Sequence, residues 1–327
     1  MPSLYRRPFW KSQKTPSFLA ASLLVSLLVG AGLSGEPSYR GHSLYEWLST
    51  YDSLDRSTPL RDRVLGWNTN GLNEAAAAVR QIGTNAIPSL LVWISNEPSS
   101  LRTNALQRVL SEDEARYLPR LAVFGFGLLR GEARQALPAL ARLANDSETN
   151  VAEHATQALI RIGPDALSEL VSIMTNTASP RRPAVAEAIA NLTNASPALP
   201  VLLQSVHDQD EMISVFAAVA LVKVPSREAL VLPALTNIFH DSRFMVRWGL
   251  LRTLAWQKPQ EQVMVNVLAL ALNDPISDMR TEALHVFSDL ARKPEVLLPA
   301  ITNALSDPNP EVRRAATNAL AKPVIRW

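Results

Sequence analysis

The sequence predicts an all-α fold in which helix pairs stack into an α-α superhelix, and three observations predict it. Apolar residues make up 47% of the 327 residues and aromatic residues only 6%, and alanine and leucine, both strong helix formers, supply most of the apolar count. Aspartates recur every 33 residues through the C-terminal half. Apolar residues between them follow helical spacing. Helix pairs this short bury their apolar faces only by stacking on one another.

Two landmarks mark the repeat. The first is a turn aspartate, which occurs at Asp208, Asp241, Asp274 and Asp307. Six residues after the last three stands an arginine: Arg247, Arg280 and Arg313. The second landmark is an apolar residue followed by proline near a helix start, where the first N–H groups have no helical partner to lose. It occurs at Ile87-Pro88, Leu137-Pro138, Leu199-Pro200, Leu232-Pro233 and Leu298-Pro299.

These patterns predict the position of each helix. The second helices of the pairs are predicted over residues 72–82, 116–130, 149–162, 180–193, 211–223, 243–256, 277–291 and 310–321. The first helices are predicted to begin near Thr84, Gly131, Pro164, Ala195, Arg227, Lys258 and Lys293. Because Pro88 and Pro138 are 50 residues apart instead of 33, we predict an inserted helix or loop over 99–115.

The N-terminus has the pattern of an export signal. Residues 1–14 are basic, and the following run 18–33 carries no charge. Cleavage after Ala31 and retention as an uncleaved inner-membrane anchor both stay open, because the run is shorter than the roughly 20 apolar residues that span a bilayer comfortably. We therefore expect an exported chain, either periplasmic or anchored and facing outward. The predicted division is a signal or anchor over 1–31, a linker and cap over 32–71, and a solenoid over 72–327.

Residues 39–48 precede the repeats and are predicted to form a short amphipathic helix. Leu44, Trp47 and Leu48 stand at the i, i+3, i+4 spacing of one helix face. Repeat arrays need a terminal cap for solubility, and we interpret this segment as that cap. A binding motif is the alternative interpretation.

The repeat resembles the HEAT-repeat superfamily of ARM/HEAT-type solenoids, and is most similar to its short-repeat bacterial branch, which includes phycobilisome-lyase-like proteins. The residues that carry the resemblance are the turn aspartate with its Val-Arg step (Asp307, Val312, Arg313) and the Ile-Gly-x-x-Ala step (Ile82, Gly83, Ala86; Ile162, Gly163, Ala166). The resemblance covers about residues 72–322. Ser214 and Ala152 depart from the pattern, since each stands where an arginine is expected. The segment 39–48 is similar to the Y-x-G-x-x-L-x-x-W-L opening of some exported bacterial relatives.

A search for chemistry finds no converging set of catalytic or metal-binding residues. The chain has no cysteine, which excludes disulfides and thiolate zinc sites. His207-Asp208 and His240-Asp241 recur one repeat apart; a row of metal sites and helix capping are the two interpretations, and we favour capping. Gly125 and Gly127 lie in an apolar run without a phosphate-loop pattern, so we interpret them as close helix packing. We expect no enzyme, no cofactor and no metal.

Charge and surface residues indicate a protein partner instead. Without the four basic residues ahead of Glu36, 28 basic residues face 30 acidic ones, so we expect no nucleic-acid binding. The second helices leave an outward stripe that includes Trp248, Arg252, Trp256, His285, Arg314, Asn318 and Lys322. Tryptophan and arginine are enriched at interface hot spots, and Arg252 is placed to stack between the two rings.

The sequence therefore predicts a non-catalytic interaction scaffold of the cell envelope. Packing of the tryptophans against a neighbouring repeat is the alternative for those residues. Two alternatives stand for the chain: an enzyme or accessory protein of the lyase-like or DNA-glycosylase-like HEAT type, and a purely structural spacer. The oligomeric state stays open.

Overall fold

The computed structural model describes residues 36–57, 69–95, 116–224, 228–239, 243–257, 261–290 and 295–321. Apart from one hairpin of two-residue strands, the regular structure in these ranges is helical, which confirms the predicted all-α solenoid class. None of the helices in these ranges combines the length and the apolar character that a membrane crossing needs. The uncharged run 18–33 and the predicted insertion 99–115 lie outside the described residues, so export, anchoring and the insertion stay predictions.

The chain divides into two compact units, Met1–Ala136 and Leu137–Trp327. The sequence pattern gave no sign of a division at this point, because the Leu137-Pro138 step that begins the second unit is the same landmark that begins other repeats. The predicted boundaries at residues 31 and 71 stay predictions.

The first unit opens with a hairpin where the sequence predicts a helix. Strands β1 (Ser38–Tyr39) and β2 (His42–Ser43) pair antiparallel. The two turn residues between them, Arg40 and Gly41, have φ values of 51° and 81°, and two positive φ angles match the right-handed twist of a two-residue hairpin. The predicted helix over 39–48 is therefore wrong for its first five residues.

Helix α1 (Leu44–Ser57) starts only at Leu44 because a capping box fixes it there. The Ser43 hydroxyl accepts the Glu46 N–H at 3.1 Å, and the Glu46 carboxylate accepts the Ser43 N–H at 2.8 Å. This reciprocal pair satisfies two N–H groups that have no helical partner. The helical spacing of Leu44 and Leu48 correctly predicts the buried face, since both residues are fully buried.

The rest of the first unit consists of α2 (Asn70–Ile82), α3 (Ile87–Ser95) and α4 (Leu118–Leu129). Helix α4 packs against the other three helices of the unit. A Cβ atom on Gly125 would lie only 2.7 Å from Leu90 Cδ2, which confirms that a small residue here lets two helices approach closely. Asp52 is buried under α4 and accepts bonds from Arg56 and, at 3.1 Å, from Arg120 Nε.

The second unit consists of alternating first and second helices. The first helices are α5 (Leu137–Leu143), α7 (Leu167–Thr175), α9 (Leu199–Ser205), α11 (Glu228–Ile238), α13 (Glu261–Leu272) and α15 (Leu298–Ala304). The second helices are α6 (Thr149–Ile162), α8 (Arg182–Ala190), α10 (Glu211–Val222), α12 (Phe244–Gln257), α14 (Ser277–Asp289) and α16 (Pro310–Ala321). From α8 to α16 each second helix packs against the next, as the repeat predicts.

Several first helices are preceded by a 3-10 turn, which the apolar pattern does not distinguish from the helix itself. The turns are Gly83–Ala86, Arg130–Ala136, Gly163–Ala166, Ser196–Ala198 and Glu295–Leu297. Gly83 and Gly163 have φ values of 60° and 82°, and a residue without a Cβ adopts this conformation without strain. The Ile-Gly-x-x-Ala step is thus a helix end joined to a 3-10 start.

The turn aspartates and the arginines form a ladder that joins successive repeats. Arg247 Nε lies 2.8 Å from Asp274 Oδ2, and Arg280 makes two bonds of 2.8 Å to Asp307. The hydrogen bonds from Arg280 lower the pKa of Asp307, an effect that burial of the carboxyl group opposes. Each of these aspartates also accepts the N–H of the residue two positions on, at 2.9 Å, which closes its turn.

Two arginines contact the turn at Asp208, close to Ser214, which stands where the repeat expects an arginine. Arg182 pairs with Asp208 from the preceding second helix. Burial would raise the pKa of Asp208, but the hydrogen bonds from Arg182 and from the Asp210 N–H outweigh it and lower that pKa. Arg243 Nη1 donates to the Asp208 carbonyl at 2.6 Å, and its Nη2 donates to Ser214 Oγ at 3.2 Å. Arg243 thus makes the contact to the Asp208 carbonyl that an arginine at position 214 would make, as Arg280 does with the Asp274 carbonyl.

Candidate partner-binding site

The candidate site is the outward face of four consecutive second helices, α10, α12, α14 and α16. Equivalent positions recur every 33 residues and form three rows across these helices, at the i, i+3 and i+7 places of each helix. We call these twelve positions the second-helix face. The rows are Met212, Met245, Asp278 and Glu311; Val215, Trp248, Thr281 and Arg314; and Val219, Arg252, His285 and Asn318.

The α10–α12 half of this face is apolar and incompletely buried. Met212 and Met245 stand at the same place on neighbouring helices and are 50% and 52% exposed. Trp248 is half-buried, and its ring centroid lies 5.3 Å from that of Phe244 at an interplanar angle of 33°. Val215 and Val219 are half-buried on α10. The result is a ridge of large apolar side chains that the described part of the chain leaves accessible.

Close approach of two helices holds this half together. A Cβ atom placed on Gly249 would lie 2.5 Å from Val215 Cγ1, a separation that real Cβ atoms do not show. Glycine in the middle of a helix costs about 1 kcal/mol relative to alanine. At Gly249 this cost is offset by the close packing of α12 on α10, which places the apolar surfaces of the two helices side by side.

The α14–α16 half of the face is polar. Glu282 lies between Arg252 and His285, with Arg252 Nη1 at 3.6 Å and His285 Nδ1 at 3.8 Å. Arg314 lies 3.3 Å from Glu311, and both side chains are largely exposed. Exposed pairs of this kind contribute little to folding stability, about 0–1 kcal/mol each. Their charges are therefore available for contacts with another molecule.

The structure brings together most of the residues that the sequence predicts here. Trp248, Arg252, His285, Arg314 and Asn318 all lie on the second-helix face, and the last four are exposed. The Trp256 side chain and Lys322 lie outside the described residues, so their part in the site stays a prediction. The contact described for Arg252 is with Glu282, and stacking between two rings likewise stays a prediction.

Met212, Met245 and Glu282 belong to this site but are not among the residues predicted from the sequence. Met212 and Met245 are apolar residues in apolar helices, so residue type alone does not mark them as surface positions. Their spacing of 33 residues was the signal that could have found them, because the same row continues as Asp278 and Glu311, which are surface residue types. The sequence contains no comparable signal for Glu282. Its partner Arg252 lies on α12, and their contact depends on how α12 packs against α14.

The metal-binding residue types do not converge among the described side chains. They contain no group of three or more histidine, aspartate or glutamate residues placed to hold a metal ion. Asp208 is engaged by Arg182 and Arg243, which accounts for it as part of the ladder. His240 and Asp241 lie outside the described residues, so their interpretation stays a prediction.

The fold and this face define the class of protein: an all-α solenoid of helix-pair repeats. Two family models support the HEAT-repeat superfamily, one described as HEAT repeats over residues 103–190 and one as HEAT repeat over residues 297–322. The second match includes the last rung of the ladder, Asp307 with the following Val312-Arg313 step. No curated protein matches the chain.

The solved structures that match this chain include engineered and natural proteins. An engineered protein is 18% identical, with 92% of this chain and 80% of that chain covered and a TM-score of 0.41. A computationally designed armadillo repeat protein for modular peptide recognition is 17% identical, with coverages of 72% and 98% and a TM-score of 0.33. Human deoxyhypusine hydroxylase is 17% identical, with coverages of 91% and 96% and a TM-score of 0.32.

Proposed function

We propose that this chain is a non-catalytic protein–protein interaction scaffold of the bacterial cell envelope, and that its partner binds along the second-helix face. The observation that carries the proposal is the pair of half-exposed methionines, Met212 and Met245, beside Trp248 on adjacent helices. Contiguous exposed apolar side chains rimmed by polar ones mark interaction sites on soluble proteins.

The chemistry of the apolar half suits a polypeptide partner. Methionine is flexible and polarisable, so it adapts to partner side chains of different shape. Trp248 adds a large ring of the type found at interface hot spots. We therefore expect a segment of the partner to cover Met212, Met245 and Trp248 with apolar side chains of its own.

The polar half would then fix orientation. A segment that continues from α12 onto α14 meets the charged groups of Arg252 and Glu282 and the imidazole ring of His285. Neighbouring helices in such a stack lie about 8–10 Å apart, and an extended chain spans that distance with about three residues. Charges at the rim govern specificity and association rate more than affinity.

The envelope part of the proposal rests on the sequence. A basic segment precedes the uncharged run 18–33, and this order is that of a secretory signal or an anchor with its basic end inside. A fusion of residues 1–40 to alkaline phosphatase, which is active only after export, tests it. Activity is expected, and Leu23→Arg/Leu27→Arg in the uncharged run should abolish it. An inactive wild-type fusion would contradict export.

The binding part is tested with variants on the two sides of the solenoid. Met212→Ser/Met245→Ser removes the exposed ridge, and Leu230→Ser/Val296→Ser is the matched control, because those two residues are exposed to 51% and 69% on or beside first helices. Proteins captured by crosslinking are identified, purified and titrated calorimetrically against each variant.

The expected result is a partner whose affinity falls at least tenfold with the ridge variant, corresponding to about 1.4 kcal/mol, and stays unchanged with the control. Equal loss with both variants, or none with either, contradicts the proposed face. Circular dichroism of both variants verifies that the helices are retained. In that contradicting case the spacer interpretation is preferred.

A further inference from the structure

The first unit contains a second candidate site, a surface pocket of about 150 Å³ between the hairpin turn and α2. Tyr39 and Arg40 line it from the turn, Trp47 from α1, and Glu74, Ala77, Ala78 and Gln81 from α2. It belongs to a different unit from the second-helix face, so it is independent of the proposed partner site. Ligand sites for drug-sized molecules are about 300–1,000 Å³, and this pocket therefore admits one small ring.

The walls of the pocket are aromatic and held in place. Trp47 Nε1 donates to the Tyr39 carbonyl at 3.1 Å, and the His42 ring packs edge-on against the Trp47 ring with centroids 5.2 Å apart. The indole is thereby fixed to the hairpin before any ligand arrives. Preorganised aromatic surface of this kind binds at low entropic cost.

The rim of the pocket is polar and balanced in charge. Arg40 supplies one cation, Glu74 one anion and Gln81 one neutral amide. Within the described ranges, these three side chains form no hydrogen bond or ion pair. The Arg40 guanidinium lies 5.3 Å from the Tyr39 ring centroid. Glu74 and Gln81 are seven residues apart on α2, which places them about 10 Å apart along the helix axis.

Arg40 reaches this rim from an unfavourable backbone conformation. Its φ of 51° lies in the left-handed region, which asparagine, aspartate and glycine occupy far more readily in hairpin turns. A side chain other than these costs stability in such a turn. An arginine that stands there against local preference indicates that its side chain is used.

These features select a ligand by its chemistry. A phosphate or carboxylate would meet Glu74, and an ammonium group would meet Arg40, so neither charge is favoured. The Ala77 and Ala78 floor with two aromatic walls suits the C–H face of a ring, whereas the rim suits hydroxyl groups that both donate and accept. We propose that the pocket binds a single pyranose ring, stacked on Trp47 and hydrogen-bonded to Arg40, Glu74 and Gln81.

The test uses the full chain and defined probes. Saturation-transfer NMR is run with methyl β-D-glucopyranoside, methyl α-D-mannopyranoside and N-acetyl-D-glucosamine, and with phosphate and tetramethylammonium as charged probes. Ala77→Leu fills the floor of the pocket without removing a polar group. Asn73→Leu introduces the same side chain one turn away, at an exposed position that does not line the pocket.

At least one pyranose is expected to bind with a dissociation constant on the order of 1 mM. Ala77→Leu should weaken that binding at least tenfold, Glu74→Ala should weaken it severalfold, and Asn73→Leu should leave it unchanged. Three results would each overturn the proposal: no pyranose binds, a charged probe binds more tightly than every pyranose, or Ala77→Leu leaves pyranose binding intact. Circular dichroism identifies a variant that has lost its fold, and Gln81→Ala then serves as the second pocket variant.

Discussion

Arg247 and Asp274 form a buried ion pair that joins α12 to the turn before α14, with Nε 2.8 Å from Oδ2 and Nη2 3.4 Å from Oδ1. Both side chains are at most 5% exposed. Taking two charges out of water is costly, and geometry this close offsets the cost only while both partners are present. The pair thus fixes the spacing of two repeats that carry the second-helix face.

Removing one partner of this pair is expected to be strongly destabilising. Asp274→Ala leaves the Arg247 guanidinium buried without its carboxylate, and we expect the free energy of unfolding of the second unit to fall by about 3–5 kcal/mol. Urea unfolding followed by circular dichroism measures it. The control is Glu311→Ala, which breaks an exposed pair and should cost less than about 1 kcal/mol. Similar costs for the two variants would show that burial of the ladder does not matter.

The contacts that Arg243 makes near Ser214 can be tested by a rescue experiment. Arg243→Ala removes charged hydrogen bonds to the Asp208 carbonyl and to Ser214, and we expect a loss of about 1.5–3 kcal/mol. Adding Ser214→Arg restores the arginine of the regular repeat, whose counterpart Arg280 donates to the Asp274 carbonyl at 2.8 Å. The double variant should therefore unfold at higher urea than Arg243→Ala alone. A double variant less stable than the single one would contradict this account of the ladder.

The contact between Gly249 and Val215 predicts that replacing this helical glycine with alanine lowers the stability instead of raising it. Glycine to alanine inside a helix ordinarily stabilises by about 1 kcal/mol. Here the added methyl group meets Val215, and overpacking of this kind costs about 1–3 kcal/mol. Gly249→Ala should therefore destabilise, and Gly249→Ala/Val215→Ala should lose less than the sum of the two single changes. Thermal unfolding measures the cycle; strict additivity would mean that the two helices can separate freely.

Glu36 predicts a pH dependence of the first unit. Its carboxyl group accepts the Tyr45 N–H at 2.6 Å, and burial raises its pKa from 4.5 to about 8. Because the folded state holds the proton more tightly than the unfolded state, this stability is fully present below pH 4.5 and is lost as the pH rises to 8. Glu36→Gln, which keeps an accepting oxygen without the charge, should flatten that decline.

The measurement for Glu36 is hydrogen exchange of the peptide spanning α1, taken at pH values from 5 to 9 for both proteins and compared at equal pH. Comparison at equal pH removes the intrinsic dependence of exchange on hydroxide. Wild type should exchange relatively faster above pH 8 than the variant does. Identical protection of the two proteins across the range would show that Glu36 stays ionised in the folded state.

The sequence predicted the helices best where the apolar stripe is regular. The predicted ranges 149–162 and 310–321 match α6 and α16 at both ends, because turn residues interrupt the stripe sharply there. Helix α8 is shorter than predicted, Arg182–Ala190 against 180–193. Nothing in the apolar spacing distinguishes a helix residue from the turn that continues it.

Neither the hairpin nor the arginine–aspartate pairs of the ladder could be predicted from the sequence pattern, for two different reasons. Two strands of two residues are too short to show alternation, and Leu44, Trp47 and Leu48 impose helical spacing on the whole segment. The pairing of Arg182 with Asp208 replaces a regular rung with an arginine from the start of α8, which only packing of α8 against α10 reveals. The site residues were predicted as one stripe, whereas only the packing of α10 and α12 shows that Met212 and Met245 are exposed.

Site-specific photocrosslinking in intact producing cells tests the central claim most directly, which is that the second-helix face contacts a partner. A photoreactive amino acid is placed in turn at Met212, Met245, Arg252 and Asn318. Leu230 and Val296 are the controls, because Leu230 is about as exposed as the two methionines and Val296 is more exposed. The account predicts one defined crosslinked species from the face positions, strongest at Met212 and Met245 and absent from both controls. Equal crosslinking from controls and face, or a species that forms only at Leu230 and Val296, would contradict it.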